Sequence, residues 1–353
     1  MPSLLSRLAA LPLPLSTALL CAACWSGPAG AQDSGFVTYE NDKFFNTDRY
    51  YTSGIQFASR HAQDTRLPGE RSFTDGLCRW LGCADARLLF TQNSAGQLMY
   101  TPGNIETPNY QRHDRPYAGF LYLERDHLFL SPDGKALTTL TGQAGFTGRA
   151  SLAEQTQKFV HRVLDRPEPR GWDHQVGNSL AFVLSVERRH ALSFLSGDIG
   201  PGVQLRTNAY WRLAAGTLMS YAAAGLTVAI GKDLPAVSPM PPGITHSLSS
   251  GKQDSSCLWD WLQCTAFAGV EGRYMAYNLF LQGRPWRDDP DVPPRRKVGD
   301  LMAGLRLDFP HTRGTGHGPW FIQFRATRRS PEFCSPCRVP RHTFGSLTVG
   351  TDF

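Results

Sequence analysis

The sequence predicts an all-β protein, a 12-stranded antiparallel barrel of the bacterial outer membrane. Three observations predict it: an export signal, no later apolar run of roughly 18 residues, and a succession of roughly ten-residue segments that alternate apolar and polar side chains. The chain has 353 residues, 41% hydrophobic and 19% charged, a length and mix that exclude a coiled coil, a collagen-like fibre or a disordered tail. Its formal charge of +6 is dispersed along the chain rather than gathered in a basic patch, which argues for no nucleic acid partner.

Arg7 precedes an uncharged stretch rich in Leu and Ala from Leu8 to Ala23, and Ala29-Gly30-Ala31 offers the small residues at which a signal peptidase cuts. Residues 1–31 are therefore expected to be a signal peptide, and 32–353 one transmembrane barrel domain. Cys21 and Cys24 leave with the signal. The six remaining cysteines fall in three close pairs, Cys78 with Cys83, Cys257 with Cys264 and Cys334 with Cys337, which suits an oxidising compartment. Six cysteines permit fifteen connectivities, of which local pairing is favoured, and only Cys334 and Cys337 have a metal-like spacing.

Candidate strands fall at 35–42, 50–60, 97–103, 117–130, 136–147, 178–190, 199–210, 217–230, 265–277, 298–309, 317–327 and 342–353. In the last, Gly345, Leu347, Val349, Thr351 and Phe353 share one face; in the tenth, Leu301, Leu305, Leu307 and Phe309 oppose Asp300, Met302, Arg306 and Asp308. Water-soluble sheets share this pattern, but the even count and a chain ending on Phe353 suit a closed membrane barrel. With both termini in the periplasm, the connections at 43–49, 104–116, 148–177, 211–216, 278–297 and 328–341 lie outside.

The external set holds the chemistry. Glu40-Asn41-Asp42 is followed across a turn by Asp48-Arg49-Tyr50-Tyr51-Thr52-Ser53-Gly54. Alternation sends Tyr51, Ile55 and Phe57 to lipid and Thr52 into the lumen near the rim, beside Asn41 and Asp42, whose oxygens suit a hard cation such as calcium. Arg112, His113 and Asp114-Arg115-Pro116-Tyr117-Ala118-Gly119 open the fourth strand, where arginines could meet phosphate. Ser151 to Leu164 reads as the one helix, with Leu152, Phe159, Val160 and Val163 as its apolar side and Ser151 with Glu154 as a capping box. A helix across the barrel mouth would lower His161, the natural base near neutral pH, toward Asn41 and Thr52.

Together with Gln155-Thr156, Gly171-Trp172-Asp173-His174-Gln175 and Arg329-Ser330-Pro331-Glu332-Phe333, these motifs resemble the lipid A deacylase family from about residue 35 to the end. The resemblance implies an outer-membrane hydrolase of the ester that carries the 3'-linked acyloxyacyl group of lipid A, with lipopolysaccharide as substrate and Ca2+ as cofactor. It implies catalytic roles for Asn41, Asp42, Thr52 and His161, with Asn41 and Asp42 near the cofactor and Asp42 on the metal. The acidic member falls on Glu168 after a one-residue shift, with Asp165 as fallback. Arg112, Arg115 and Tyr117 are expected to contact substrate. The family's lysine near the third strand has no counterpart, since no lysine lies between Lys43 and Lys135. No Gly-x-Ser-x-Gly elbow occurs, so His161 would activate water and Thr52 would orient or donate. The competing reading is a catalytically inactive barrel serving as a channel or as a structural or adhesive protein.

Overall fold

The computed structural model describes residues 33–45, 50–237, 262–309, 319–334 and 341–351. Its strands are β1 (Asp33–Asn41), β2 (Tyr50–His61), β3 (Arg87–Thr101), β4 (Ala118–Leu130), β5 (Ala136–Thr147), β6 (Leu180–Ala191), β7 (Gly197–Gly200), β8 (Val203–Gly216), β9 (Met219–Lys232), β10 (Gln263–Asn278), β11 (Lys297–Phe309), β12 (Trp320–Arg329) and β13 (His342–Thr351). Twelve of them close an antiparallel barrel. β1 pairs with β13 from Gly35↔Thr351 to Asn41↔Gly345, and β6 pairs directly with β8, which leaves β7 as a short flap on β8. Closure leaves no strand edge to lipid, where an unpaired backbone group costs several kcal/mol. The expected signal segment lies outside the described residues.

Gly35 and Thr351 pair at one end of the barrel, the end expected to face the periplasm. Inward and outward residues separate by chemistry. Outward, Leu123, Leu180 and Leu301 are more than half exposed, as lipid-facing side chains of a barrel should be. Inward, Glu187 bonds Arg189 and Arg212 at 3.1 and 2.5 Å, Asp300 bonds Arg273 and Arg329 at 2.5 and 2.9 Å, and Glu40 bonds Arg325 at 2.5 Å. A short helix α3 (Leu279–Gln282) turns in at the external mouth, where Phe280 packs at ring-centroid distances of 4.6 Å from Tyr100 and 6.1 Å from Phe120. (Two further helices, α1 at Pro68–Leu81 and α2 at Ala153–Val163, lie on the outer wall.)

Beyond the short elements β7 and α3, which were not expected, three departures from expectation have a physical cause. β3 begins at Arg87, ten residues before the predicted start, and α1 was not expected. Both have one cause. The outward residues Thr91 and Asn93 of β3 and Arg125 and His127 of β4 are polar, which breaks the lipid-facing pattern, because α1 and the segment before it cover them. Glu70 accepts from Arg125 and lies 2.8 Å from His127 Nε2, Thr65 meets Thr91 at 2.5 Å, and Arg125 donates to Asn93 at 2.6 Å. An arginine facing lipid at mid-bilayer would cost about 2–4 kcal/mol. The third departure is the turn between β8 and β9, which falls at Thr217-Leu218 rather than at 211–216. Arg212, within the connection expected at 211–216, is a lumenal partner of Glu187 and Glu271.

Cys78 and Cys83 form the expected local disulfide, closing the end of α1. Arg188 donates to the carbonyls of Leu81 and Gly82 at 2.6 and 3.1 Å, which satisfies orphan acceptors at that helix end. Cys264 and Cys334 are also disulfide-bonded; their expected partners Cys257 and Cys337 lie outside the described residues.

Candidate functional site

The register of β2 is broken by a bulge between Tyr51 and Ser53. An extra residue on one strand resets which side each neighbour faces. Tyr51 therefore enters the lumen, where its hydroxyl donates to Glu40 at 2.7 Å, whereas Thr52 Oγ1 meets Thr101 Oγ1 at 2.5 Å on the wall side of β2 and β3. This reverses the simple alternation that sent Thr52 inward and Tyr51 to lipid. Asn41 ends β1 on the same outer side: its amide donates to the Tyr39 hydroxyl at 2.7 Å and its Oδ1 accepts the Lys43 N–H at 2.7 Å. Asp42 follows, fully buried, in a 3-10 turn whose Phe44 packs on Phe324 of the outer wall.

Helix α2 covers the neighbouring strip of wall rather than the mouth. Its barrel-facing stripe is Ala153, Gln157 and His161, all buried, while Leu152, Phe159 and Val163 are exposed to the bilayer side. The apolar side predicted for this helix is thus its outer face, and the polar stripe faces the protein. In a membrane that inversion is the stable arrangement, because the apolar face has lipid for a solvent. The predicted capping box is not formed. Leu152, at φ 58°, precedes the helix, Ser151 donates to the Gly148 carbonyl, and Glu154 instead pairs with Lys158 at 2.8 Å.

Three contacts clamp α2. Gln97 of β3 donates to the Ser151 carbonyl at 2.6 Å, Trp172 Nε1 donates to Gln157 Oε1 at 2.7 Å, and Met99, Tyr117, Ala153 and Trp172 form one buried cluster. His161 Nδ1 lies 2.6 Å from the Pro167 carbonyl. A carbonyl only accepts, so Nδ1 carries a proton, and in the neutral ring Nε2 holds the lone pair that a general base needs. The orienting acceptor is therefore a backbone oxygen. Glu168 and Asp165 are both exposed, and Asp165 adopts φ 49°. Pro167, Thr101 and Gln157 were not singled out in the sequence; of these, only Gln157 carried a signal, three residues from Glu154 on the helix.

The expected substrate contacts divide. Arg112 is exposed. Arg115, 1% exposed, lies over the Tyr100 ring at 4.3 Å and 3.5 Å from Glu332. Burial lowers the Arg115 pKa from its usual value, opposed by the Glu332 charge, and Glu332 is held below the usual carboxylate range by Arg329 and Arg115 against the effect of its own burial. Tyr117 is buried, donating to the Ile105 carbonyl at 3.1 Å with its ring against Trp172. Arg115 and Tyr117 thus brace the external loops rather than line an open rim.

A calcium ion takes six to eight oxygens. Among the described residues no three His, Cys, Asp or Glu side chains gather as a metal group, and Asn41 and Asp42 offer one amide oxygen, already accepting from Lys43, and one carboxylate. These donors alone do not make a calcium site, so no step is derived through a cation. Inside the barrel a cavity of about 170 Å3 is lined by Glu40, Tyr100, Arg273 and Glu332 among others, but not by Asn41, Thr52 or His161. The candidate site lies on the outer wall.

A family model described as outer membrane protein LpxR matches residues 13–353. Among solved structures, LpxR from Salmonella typhimurium is similar at a TM-score of 0.71 and 19% identity, over 91% of this chain and 100% of that one. The beta domain of the Bordetella autotransporter BrkA matches at a TM-score of 0.43 and 9% identity, over 92% and 100%. The comparison with curated proteins finds no match. The family match spans nearly the whole chain and agrees with a closed 12-stranded barrel, so the chain belongs to the outer membrane protein LpxR family and resides in the outer membrane.

Proposed function

We propose that this barrel is a lipid A deacylase that hydrolyses the ester of the 3'-linked acyloxyacyl chain with water activated by His161. Membership of the LpxR family supports lipid A modification in general. The observation that carries the finer reading is the His161 Nδ1 contact with the Pro167 carbonyl, on a helix held to the outer wall. A base oriented there is reached from within the bilayer, and its substrate is a membrane lipid with a hydrolysable bond near the external interface.

In the proposed reaction Nε2 takes a proton from water as the oxygen attacks the ester carbonyl. The tetrahedral oxyanion accepts a hydrogen bond from the Thr52 hydroxyl, which Thr101 orients. Collapse breaks the bond to the sugar oxygen, the imidazolium returns its proton to that oxygen, and a free sugar hydroxyl and an acyloxyacyl carboxylic acid result. A positioned base of this kind contributes about 100- to 10,000-fold. The family resemblance further assigns calcium to Asn41 and Asp42, but these donors fall short of the six to eight oxygens such an ion takes, so the steps above rest on His161 and Thr52. The channel reading is disfavoured by Phe280 in the external mouth and by the ion pairs across the lumen. Mass analysis of purified lipid A after incubation with the protein tests the proposal.

A further inference from the structure

We infer that the cleft between α1 and the barrel wall binds one acyl chain of a glycerophospholipid from the periplasmic leaflet. The cleft encloses about 440 Å3, with Leu140, Leu184 and Leu213 on the wall and Phe73 and Leu77 on the helix. Leu184 and Leu213 are outward residues, 53% and 50% exposed, so the cleft opens to the bilayer. At one end its lining turns polar through Glu70, Arg125 and His127, and this cluster is closed on itself by the Glu70 ion pairs. What the rest of the cleft offers a ligand is apolar contact. A hydrocarbon chain supplies the partner atoms that its walls would otherwise lack.

The outer side of α1 supplies the other half of the argument. Trp80 is 81% exposed with the exposed Arg79 beside it, and Arg71, exposed one turn and more before them, pairs with Asp64 at 3.1 Å. Aromatic rings belong at head-group level, and arginines beside them meet lipid phosphate. Because α1 is part of the connection between the periplasmic ends of β2 and β3, Arg79 faces the leaflet made of glycerophospholipid. Chain in the cleft and phosphate on Arg79 are two ends of one molecule. The site is separate from the strip under α2, so it stands or falls independently of the deacylase reading.

The test is native mass spectrometry of the full chain, extracted from outer membranes in mild detergent and then exchanged into lipid-free detergent. Wild type should retain one phospholipid. Leu184→Trp, which fills the cleft, should lower that retention by about tenfold or more, whereas Leu301→Trp, on a lipid-facing position away from α1, should leave it unchanged. Equal retention by Leu184→Trp, or retention of a lipid A species in place of phospholipid, would overturn the inference. Should Leu184→Trp fail to assemble, wild type reconstituted with a phospholipid carrying a photoreactive chain decides the matter: crosslinks concentrated on peptides containing Leu77 and Leu184 support the site, and crosslinks spread evenly around the barrel refute it.

Discussion

Gly119 of β4 and Ala153 of α2 approach so closely that a Cβ built on Gly119 would stand 2.3 Å from the Ala153 Cβ and 2.2 Å from the Ser151 Oγ. Both neighbours sit at the rigid start of the α2 connection, so any side chain at this position must push the helix off the wall. The seat of His161 thus depends on a residue that bears no functional group.

Gly119→Val is therefore expected to displace α2 while the barrel still closes. A displacement of about 1 Å at a catalytic group costs about 100-fold in rate. Lipid A hydrolysis should fall by that order, with heat-modifiable migration of the folded barrel retained; full activity in Gly119→Val would show that α2 need not lie against β4.

The hydroxyl pair offers a second test. Thr52→Val keeps shape and removes the donor assigned to the oxyanion, for which a loss of about 100- to 1000-fold in kcat is expected. Thr101→Val removes only the group that orients it, and a smaller loss is expected. Single-turnover rates on purified lipid A separate the two, and equal, minor losses would remove Thr52 from the reaction.

How far the sequence revealed this arrangement depends on what each side chain faces. β13 was legible because Leu347 and Val349 alternate without interruption. The beginning of β3 was not, because Thr91 and Asn93 face α1 instead of lipid. Thr52 was singled out through its motif but its direction was misread, since a bulge leaves no mark in a period-two pattern. His161 was visible as a residue type on a helix; its acceptor was not, because a backbone carbonyl carries no sequence signature and Glu168 stood beside it.

Glu332 and Arg115 supply a prediction about pH. The Glu332 carboxyl is depressed in the folded protein, so its contribution is full above the ordinary glutamate value of about 4.3 and is lost as pH falls through the lower folded value. The protection of the external loops against hydrogen exchange, measured relative to the intrinsic rate at each pH, should fall as pH falls through that window. Glu332→Gln should produce the loosened state already at neutral pH, since stranding a buried charge costs about 3–5 kcal/mol. Unchanged protection in the variant would contradict the bracing role.

The calcium that the family resemblance assigns to Asp42, and that the donors in place do not complete, is tested by titration. Asp42→Asn should shift the calcium needed for half-maximal hydrolysis upward, because it removes the carboxylate that a hard cation prefers. Identical calcium curves for wild type and Asp42→Asn would separate this residue from any metal.

The most direct measurement of the central claim is the mass of purified lipid A incubated with wild type and with His161→Ala, both assembled as barrels and supplied with calcium. The account predicts that wild type removes the 3'-linked acyloxyacyl group and releases it as the free acid, while His161→Ala is slower by at least about 100-fold. Undiminished release by His161→Ala would contradict the mechanism, and an unchanged lipid A mass with wild type would contradict the deacylase assignment itself.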